Sequence, residues 1–404
     1  MTAAHHLIKE INTKETCLYC GNNLKEKTWS SEFEAELHYK TIVCSGCGKK
    51  NRVKVDFQGS GHDHWDGNGF KIKENLEKKI KHKKEIKTKG KLEKKKLSIK
   101  NKMEEKIAGI TTQELFASGH RACAGCGVAL AARHALKAAG KNTIVVNATS
   151  CLEVFSTPYP ETSWKVPWIH GAFENAAAIA SGIDRALKTL GKRKDTNLLV
   201  FGGDGGTFDI GFQALSGAAE RGQNFCYVCF DNAAYMNTGI QRSGATPKYA
   251  STTTSPAGKI IHGKTEFKKP MPFIMAAHGA YVATANVAFP LDLINKVKKG
   301  LAFDGPAYIQ TYVPCPTGWK FLNNMTIEIG KLAFNSTVTP LYEIEKGILS
   351  ISKKPVNKVP VGDYLKTQGR FKHITEEEIK DIQNHVDDQW KRLLELEKNK
   401  ARLF

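Results

Sequence analysis

The sequence predicts an α/β fold, with a mostly parallel sheet and helices on both faces, for residues 107–404, preceded by a small β module. The main observation is that short apolar, β-branched runs alternate with helical patterns after residue 106. A second observation is that residues 1–70 contain two C-x-x-C pairs, and a third is that residues 71–106 are of low complexity. We therefore expect three segments: 1–70, 71–106 and 107–404.

The first segment carries the pairs Cys17/Cys20 and Cys44/Cys47, each followed by a glycine. The stretches ELHYKTIVC and KNRVKVDF alternate apolar and polar residues as strands do. Four thiolates on two hairpin tips are typical ligands of structural Zn²⁺, and a module this small depends on its metal to fold. We predict a zinc ribbon rather than a pair of redox dithiols. The stretch Gly61–Asp66 is interpreted as a polar turn rather than a second metal site.

The second segment, residues 71–106, contains sixteen lysines and six glutamates, which is half of the net charge of +20. This composition is typical of a solvated helix or a disordered linker. A tether for nucleic acid or an acidic partner is the alternative. Residues 1–70 hold nine basic and nine acidic residues, however, and phosphate binding requires local positive charge. A zinc-ribbon nucleic-acid-binding protein is therefore only the third hypothesis, and we do not expect nucleic acid as a partner.

Composition also bounds the cellular compartment. The sequence holds no run of about 18 apolar residues, so we expect no membrane-spanning helix and no membrane partner. Residues 1–15 lack the continuous apolar stretch of a secretory signal. The ten cysteines are then expected to be reduced or metal-bound rather than paired in disulfides. We expect a cytoplasmic protein.

The third segment shows the alternation that predicts the sheet and its helices. Apolar, β-rich runs predict strands over 142–148, 197–203, 225–231 and 306–313. Small and apolar residues at helical spacing predict helices over 127–140, 174–191 and 209–222, each ended by a glycine. The amphipathic stretch 376–400 predicts a last helix that packs on this chain or on a partner.

A glycine-rich turn, GDGG over residues 203–206, follows an apolar run and precedes a predicted helix. Such a turn can present backbone N–H groups to a phosphate at the positive end of a helix. Asp204 offers the hard oxygen that Mg²⁺ prefers, and Asn232 follows the next strand 28 residues later. With the carbonyl oxygen of Ala234, these residues predict a magnesium–diphosphate site.

Four further cysteines form a second set: Cys123 and Cys126 precede a predicted helix, Cys151 ends one predicted strand, and Cys315 follows another. Because the carboxyl ends of parallel strands share one edge of a sheet, we expect these thiols to converge on a [4Fe–4S] cluster. The thiolates alone would also suit zinc, and the adjacent cofactor site favours iron and sulfur.

Cys226 and Cys229 receive a different interpretation. They lie in the middle of a predicted strand and are three residues apart, so their side chains should point to opposite faces of the sheet. We interpret both as buried apolar cysteines.

Together these motifs resemble the β subunits of pyruvate:ferredoxin oxidoreductases, within the 2-oxoacid:ferredoxin oxidoreductase family. The resemblance covers nearly all of residues 107–380 and none of residues 1–106. It is carried by GHRACAGCG (119–127), NATSC (147–151), TPYPETSWKVPWIHGAFENAAAIASG (157–182), GDGG (203–206), DNAAYMNTG (231–239), CPTGW (315–319), PLYE (340–343) and DYLKTQGRFKHI (363–374).

The resemblance implies a thiamine-diphosphate-binding fold. The implied cofactors are thiamine diphosphate, Mg²⁺ and a [4Fe–4S] cluster, with coenzyme A as co-substrate. The implied reaction is the oxidative decarboxylation of a 2-oxoacid to acyl-CoA and CO₂, with electrons passed through the cluster to ferredoxin, or its reverse. The implied site residues are Asp204, Asn232 and Ala234 for Mg²⁺, Cys123, Cys126, Cys151 and Cys315 for the cluster, Gly203, Gly205 and Gly206 for the diphosphate, and Asn237 and Thr238 for thiamine and substrate.

Two positions depart from the family pattern. Ser150 stands where glycine is usual before the third cysteine, and Ala233 stands where an acidic residue is common. Neither is a ligand side chain, although Ser150 is expected to stiffen the loop beside the cofactor.

The resemblance also implies partners. In this superfamily the carboxylate that activates thiamine comes from a second, pyrimidine-binding module, and residues 107–404 have room for only one module. We therefore expect an α subunit that supplies this half-site, further subunits, and ferredoxin.

We expect pyruvate as the substrate, because the PYPETSW and HGAFEN segments resemble those of the pyruvate-type members of the family. Branched-chain, aryl and 2-oxoglutarate enzymes share the core motifs and remain alternatives. A non-redox thiamine decarboxylase or transferase would need the GDG and Asn motif but not the four cysteines.

Overall fold

A computed structural model describes residues 16–17, 19–24, 30–34, 37–55, 106–107, 109–158, 162–400 and 402–404. The chain divides into two compact units, Met1–Met103 and Glu104–Phe404. The predicted linker 71–106, except for Lys106, and the stretch Gly61–Asp66 lie outside the described residues. In the described part of the chain, no helix has the length and apolar character needed to cross a bilayer.

The described part of the first unit is a three-stranded antiparallel sheet with β2 in the centre. Its strands are β1 (Ser30–Glu34), β2 (Leu37–Val43) and β3 (Lys50–Val55). Val43 pairs with Lys50 across the turn that contains the second cysteine pair. The strands expected at ELHYKTIVC and KNRVKVDF correspond to β2 and β3.

The second unit contains a two-stranded ladder and an eight-stranded sheet. The ladder consists of β4 (Lys106–Ile107) and β5 (Ile110–Thr111). The strands of the larger sheet are β6 (Thr143–Ala148), β7 (Trp168–Gly171), β8 (Asn197–Gly203), β9 (Phe225–Asp231), β10 (Tyr281–Asn286), β11 (Pro306–Tyr312), β12 (Leu341–Glu345) and β13 (Ile348–Lys353).

The strand order in the larger sheet is β13-β12-β10-β11-β9-β8-β6-β7. The six strands from β10 to β7 pair in parallel, and β12 and β13 add an antiparallel hairpin at one edge. The predicted mostly parallel sheet is thus confirmed. The sequence prediction did not include β7, β10 or the hairpin.

Helices cover both faces of this sheet. They are α1 (Gly127–Ala139), α2 (Cys151–Ser156), α3 (Ala176–Thr189), α4 (Phe212–Glu220), α5 (Met271–Ala276), α6 (Pro290–Ala302), α7 (Pro316–Trp319), α8 (Thr326–Asn335), α9 (Val361–Leu365) and α10 (Glu376–Asn399). Helices α1 and α6 contribute to the apolar core on one face, while α3, α4 and α5 contribute to the core on the other.

Strand β9 shows how the sheet separates these two cores. Cys226 and Val228 belong to one core, and Tyr227 and Cys229 belong to the other. The prediction that Cys226 and Cys229 point to opposite faces is therefore confirmed. Burial raises the pKa of both thiols far above the ordinary value, so neither is a reactive thiolate.

The helix predicted over 209–222 begins differently from expectation. A π-helical turn at Gly206–Ile210 precedes α4, and the N–H of Gly211 donates to the carbonyl oxygen of Gly206 over 2.7 Å. A Cβ at position 211 would lie 2.3 Å from that oxygen, so only glycine fits. Single π turns occur frequently at functional sites, and this one directly follows the glycine-rich turn.

The last helix, α10, begins with a capping box in which Thr375 and Glu378 exchange hydrogen bonds of 3.2 and 2.9 Å. Its residues Ile379, Ile382 and Val386 join an apolar cluster with α8 and α9. Of the two expected placements, the helix thus packs on its own chain.

Candidate functional site

The predicted site residues lie at one edge of the large sheet, where the parallel strands end. Asp204 directly follows β8, and Asn232 directly follows β9. Cys151 lies three residues after β6, and Cys315 lies three residues after β11. Because β11, β9, β8 and β6 are consecutive neighbours in the sheet, these residues occur side by side in this order.

The side chain of Asn232 contacts both of the other predicted Mg²⁺ ligands. The side-chain amide of Asn232 places one terminal atom 2.8 Å from Asp204 Oδ1 and 2.9 Å from the carbonyl oxygen of Ala234. With the amide nitrogen at this position, it donates two hydrogen bonds. With the amide oxygen there, three oxygens converge, an arrangement that a bound cation would stabilise.

This spacing fits the predicted ion. Mg²⁺ binds oxygen at about 2.0–2.1 Å in octahedral geometry, so neighbouring ligand oxygens lie about 2.9 Å apart. The donor set of one carboxylate, one amide and one backbone carbonyl is also the hard-oxygen type that Mg²⁺ prefers.

Asp204 is almost fully buried, and its second carboxylate oxygen, Oδ2, accepts a hydrogen bond of 2.5 Å from the hydroxyl of Ser243. Burial, together with the charge of Asp231, raises the pKa of Asp204 well above its ordinary value. A buried carboxylate of this kind is stable in ionised form only beside a positive charge, which is what a bound cation supplies.

The glycine-rich turn packs closely against other backbone and side-chain atoms. A Cβ at Gly205 would lie 2.3 Å from the ring of Tyr235, whose hydroxyl donates to the carbonyl oxygen of Gly205 over 2.9 Å. A Cβ at Gly206 would lie 2.9 Å from the carbonyl oxygen of Phe173, and one at Gly203 would lie 3.4 Å from Ser150. Packing alone therefore requires glycine at positions 205 and 206, whether or not the turn binds a ligand.

The four cysteines predicted to hold a cluster occupy comparable positions at element starts. Cys126 is the N-cap of α1, Cys151 is the first residue of α2, and Cys315 is the N-cap of α7. The N–H of Gly318 donates to Cys315 Sγ over 3.4 Å. Cys123 lies on the turn before α1 and is exposed.

Electrostatic coupling indicates that these thiols lie close together. Burial, with smaller contributions from the charges of Cys315, Cys126 and Asp204, raises the pKa of Cys151 to about 12. Burial likewise raises the pKa of Cys315 to about 11, with contributions from Cys126 and Cys123. The charge of Asp204 contributes to the raised pKa of Cys151, so the predicted metal site lies near the predicted cluster site.

The turn between Cys123 and Cys126 is fastened to the segment that follows Cys315. Gly125 has a φ of 75°, and a Cβ there would lie 2.1 Å from the carbonyl oxygen of Asn323. Thr326 Oγ1 donates to the carbonyl oxygen of Gly125 over 2.6 Å. Glycine is thus required at position 125 on two grounds, and the packing holds the two cysteine segments together.

Asn237 and Thr238 lie on an exposed loop beside this edge. The backbone N–H of Asn237 lowers the pKa of Cys151, which brings the loop next to a predicted cluster ligand. Thr238 Oγ1 donates to Gln241 Oε1 over 2.5 Å. In this loop the non-glycine residues Ala233 and Ile240 adopt φ values of 67° and 65°, a conformation that is costly for a β-branched residue.

Some residues at this edge were missed by the sequence prediction. Ser243 bonds to Asp204, and Thr246 Oγ1 donates to the carbonyl oxygen of Ala233 over 2.8 Å. Thr149 Oγ1 forms a hydrogen bond of 2.7 Å with His170 Nε2. The local sequence around Ser243 matches no ligand motif, so only the tertiary structure could identify it.

The first unit holds the other cysteine set. The Sγ atoms of Cys17, Cys20, Cys44 and Cys47 all lie within 4.8 Å of one another, with two pairs 3.6 Å apart. Tetrahedral Zn²⁺ with Zn–S distances of about 2.3 Å places its sulfurs about 3.8 Å apart, so the set fits one ion. The side-chain amide of Asn51, fully buried, donates to Cys17 Sγ over 3.4 Å.

The two cysteine turns of this unit repeat each other. The N–H groups of Gly21 and Gly48 each donate over 2.8 Å to the carbonyl oxygen of the cysteine four residues earlier. Both glycines have positive φ, 76° and 68°, the conformation of a tight turn that glycine adopts readily. The predicted ribbon geometry is therefore present in the described part of this unit.

Comparison with known proteins identifies the family. Residues 145–311 match the model of the C-terminal thiamine-pyrophosphate-binding domain of thiamine pyrophosphate enzymes. The chain is 57% identical over 288 residues to the pyruvate synthase subunit PorB of Methanocaldococcus jannaschii, covering 70% of this chain and 97% of that one. It is 43% identical over 314 residues to PorB of Thermotoga maritima, covering 74% and 95%.

Two other similar proteins are named for 2-oxoacids other than pyruvate. The chain is 45% identical over 291 residues to the ketoisovalerate oxidoreductase subunit VorB of Pyrococcus abyssi, covering 70% of this chain and 94% of that one. Among solved structures, a chain of 2-oxoglutarate:ferredoxin oxidoreductase from Magnetococcus marinus has a TM-score of 0.44 and 21% identity, covering 57% of this chain and 84% of that one. The family resemblance expected from the sequence is confirmed by the PorB relatives: the chain belongs to the PorB family of pyruvate synthase subunits, within the 2-oxoacid:ferredoxin oxidoreductases.

Proposed function

We propose that the chain is the β subunit that carries the metal–diphosphate half of the thiamine site and a [4Fe–4S] cluster in an oxidoreductase acting on pyruvate. The observation that carries this proposal is the contact of Asp204, Asn232 and Ala234 in magnesium-like geometry, beside Cys151. When bound, thiamine diphosphate supplies an electron sink for loss of the substrate carboxylate, and the cluster supplies an electron acceptor.

In this proposal Asp204, Asn232 and the Ala234 carbonyl hold Mg²⁺, which in turn orients the diphosphate. The residues Gly203, Gly205 and Gly206 bring the backbone close to the diphosphate at the start of the π turn and α4. Their close packing against Ser150, Tyr235 and Phe173 fixes the turn before any ligand arrives.

Cys123, Cys126, Cys151 and Cys315 are the proposed cluster ligands. The raised pKa values of Cys126, Cys151 and Cys315 describe thiols without iron, and metal binding would deprotonate all the ligands. Cys123 is exposed and, with Cys126, lines a depression of about 770 Å³. Electrons would leave toward ferredoxin or another iron–sulfur partner on this side.

Asn237 and Thr238 are the proposed residues for the thiamine and substrate site. Their support is their place in the chain, five and six residues after Asn232, together with the proximity of the Asn237 N–H to Cys151. In this role they orient the 2-oxoacid between the diphosphate site and the cluster, and the loop geometry at Ile240 limits their motion.

Pyruvate is proposed because several relatives at 43–57% identity are pyruvate synthase subunits. A ketoisovalerate oxidoreductase subunit at 45% identity lies within this range, so a branched-chain 2-oxoacid is the second candidate. Coenzyme A is the proposed acceptor of the acyl group, yielding acetyl-CoA and CO₂ from pyruvate, and the reverse reaction would fix CO₂.

The active assembly is proposed to need an α subunit that supplies the pyrimidine-binding half-site and its activating carboxylate. The exposure of Asn237 and Thr238 on this chain supports a partner that covers them. We also propose that the complex contains further subunits and that it is located in the cytoplasm.

The N-terminal unit is proposed to hold one structural Zn²⁺ through Cys17, Cys20, Cys44 and Cys47. The relatives match about 70% of this chain, so their similarity does not extend to all of it. The donated hydrogen bond from Asn51 to Cys17 offsets part of the negative charge that four thiolates place on one ion.

The test is purification of the chain with its neighbouring subunits, followed by reduction of ferredoxin with pyruvate, ketoisovalerate and 2-oxoglutarate, each with coenzyme A. We expect pyruvate to give the highest kcat/KM. Asp204→Asn should abolish thiamine retention, whereas Asp388→Asn, at an exposed carboxylate of α10, should retain it. A complex that oxidises no 2-oxoacid, or a chain that is fully active alone, would overturn the proposal.

A further inference from the structure

Ser243 touches the predicted metal site from the side opposite to the cation. Its hydroxyl donates to Asp204 Oδ2 over 2.5 Å, while the other carboxylate oxygen, Oδ1, faces Asn232 at 2.8 Å. Both Ser243 and Asp204 are only 1% exposed, so solvent does not compete for this bond. One oxygen of the carboxylate is therefore occupied by the protein, and one is directed at the cation position.

The direction of this hydrogen bond is fixed by the neighbours of Ser243. The N–H of Ala245 donates to Ser243 Oγ over 3.2 Å, which leaves the hydroxyl proton for Asp204. The N–H of Ser243 donates to Thr246 Oγ1 over 3.0 Å, and that hydroxyl donates to the carbonyl oxygen of Ala233. The turn 243–246 therefore contacts both loops that contribute predicted metal ligands.

The buried side chain of Lys264 hydrogen-bonds to the backbone of the same turn, residues 243–246. Its Nζ donates to the carbonyl oxygens of Thr246 and Gly244 over 2.7 and 3.4 Å. Lys264 is 2% exposed. A buried ammonium bonded to two carbonyls of one turn restricts the turn strongly, because releasing it would leave a charge unsatisfied inside the protein.

A carboxylate oriented in this way directs its other oxygen at the cation, and two-oxygen ligation would require the hydrogen-bonded oxygen to turn toward the cation as well. Mg²⁺ requires near-ideal octahedral geometry at about 2.0–2.1 Å, to which single-oxygen ligation is suited. Ca²⁺ accepts six to eight oxygens at about 2.3–2.6 Å and frequently takes both oxygens of one carboxylate. Rotation of Asp204 toward two-oxygen ligation would break the bond to Ser243.

We propose that Ser243 determines the cation specificity of the site: by holding Asp204 Oδ2, it restricts Asp204 to one-oxygen ligation and selects Mg²⁺ over Ca²⁺. Ser243 acts through Asp204 and does not itself touch the cation. The inference rests on the proposed function, because it assumes that Asp204, Asn232 and Ala234 hold the cation of thiamine diphosphate.

The experiment uses the assembled complex, freed of thiamine diphosphate and divalent metal by a chelator. Thiamine diphosphate binding is then measured by calorimetry in the presence of Mg²⁺ alone or Ca²⁺ alone, and the ratio of the two affinities is the readout. The wild type should favour Mg²⁺. In Ser243→Ala the ratio should move toward Ca²⁺ by about tenfold, as expected for loss of a hydrogen bond to a charged group.

Two further variants separate specificity from general damage. Ser243→Thr keeps the hydroxyl and should keep the wild-type ratio. Ser336→Ala removes another fully buried serine hydroxyl, which bonds to the carbonyl oxygen of Ala333, and should leave the ratio unchanged. Both affinities are measured on the same preparation of each variant. Any fraction of inactive protein therefore affects the two measurements equally and does not change their ratio.

Each outcome has a distinct meaning. If the wild-type complex binds thiamine diphosphate with neither cation, the proposed function itself fails. If the wild type binds normally and Ser243→Ala keeps its ratio, the inference on Ser243 is wrong. Equal losses with both cations in Ser243→Ala would also overturn it, since they would assign Ser243 a purely structural role.

Discussion

Trp319 Nε1 donates a hydrogen bond of 2.7 Å to the backbone carbonyl oxygen of Asn232. Trp319 is fully buried, and the guanidinium of Arg370 lies 3.9 Å above its ring. Trp319 follows the predicted cluster ligand Cys315 by four residues, whereas Asn232 is a predicted Mg²⁺ ligand. This bond therefore joins the two halves of the candidate site directly.

Trp319→Phe should weaken both stability and thiamine binding. Phenylalanine keeps an aromatic ring but leaves the buried carbonyl of Asn232 without a donor, which costs about 1–3 kcal/mol. We expect thiamine diphosphate to bind more weakly, measured by calorimetry on the assembled complex. Trp164→Phe is the matched control, because Trp164 Nε1 donates over 2.9 Å to Ser156 Oγ, which is not a neighbour of the predicted Mg²⁺ ligands in the chain. Equal thiamine affinity in both variants would argue against coupling through Trp319.

Cys151→Ser should remove the cluster while the fold persists. Cys151 lies at the start of α2, at the sheet edge, whereas Cys229 is buried among apolar side chains of β9. Cys229→Ser is therefore the control: it should lose some stability but retain iron. Iron and acid-labile sulfide per chain are the measurements, together with the electron paramagnetic resonance signal of the reduced complex. Retention of full iron content in Cys151→Ser would contradict the ligand assignment.

Metal analysis separates the ribbon from the cluster. Cys44 is fully buried, and its Sγ lies 3.6 Å from that of Cys20, so Cys44→Ser removes a central ligand. We expect the loss of one zinc per chain with unchanged iron and sulfide, because the two cysteine sets belong to separate units. Ser45→Ala, one residue away, is the control and should keep its zinc. If Cys44→Ser instead loses iron, the ion in the ribbon is not zinc.

The site ligands were predictable because they follow strands whose apolar pattern is strong. Asp204 and Asn232 directly follow β8 and β9, and parallel strands bring their carboxyl ends together whatever the intervening sequence does. Cys151 and Cys315 lie three residues beyond their strands, so the same topology placed them at the same edge.

The contacts around those ligands were not predictable. Ser243 lies 39 residues from Asp204 along the chain, and nothing in the local pattern distinguishes it from a serine on a surface turn. The π turn after Gly205 depends on the crowding of Gly211 against Gly206 and Glu174, a tertiary effect. The local sequence pattern therefore predicts which residues are metal ligands, whereas the orientation of their side chains depends on contacts between distant parts of the chain.

The buried Lys264 predicts a dependence of stability on pH. Burial lowers its pKa from 10.5 to about 8, with a smaller contribution from Arg242. Because the folded-state pKa lies below the unfolded value, burying the charge is unfavourable below pH 8, and this penalty disappears as pH rises toward 10.5. Lys264 should therefore make the chain relatively more stable between pH 8 and 10.5 than below it.

Lys264→Met removes this titration. The melting temperature of the wild type minus that of the variant should increase from pH 7.5 to about pH 10, as measured by calorimetric scans in matched buffers. Lys331→Met, at an exposed lysine paired with Glu328, is the control and should give no such trend. A difference between wild type and Lys264→Met that stays constant with pH would refute the lowered pKa.

The backbone at Ile240 adopts a conformation that is unfavourable for the residue that occupies it. Its φ of 65° is unfavourable for a β-branched residue, and the N–H of Thr253 holds it by donating to its carbonyl oxygen over 3.0 Å. Asparagine tolerates this conformation, so Ile240→Asn should raise stability by about 1 kcal/mol. Because asparagine adopts the same φ with less strain, the loop that contains Asn237 and Thr238 should keep its conformation, and the KM for the 2-oxoacid should stay unchanged.

Lys346→Asn provides the matched control for this prediction. Lys346 also has a positive φ, 51°, but it is exposed between β12 and β13, away from the site edge. We expect a stability gain of the same sign and an unchanged KM. A KM that is unchanged in both variants would mean that the strain at Ile240 does not position Asn237 and Thr238. A raised KM in Ile240→Asn alone would contradict the prediction, because it would show that the side chain of Ile240 itself helps to orient the substrate.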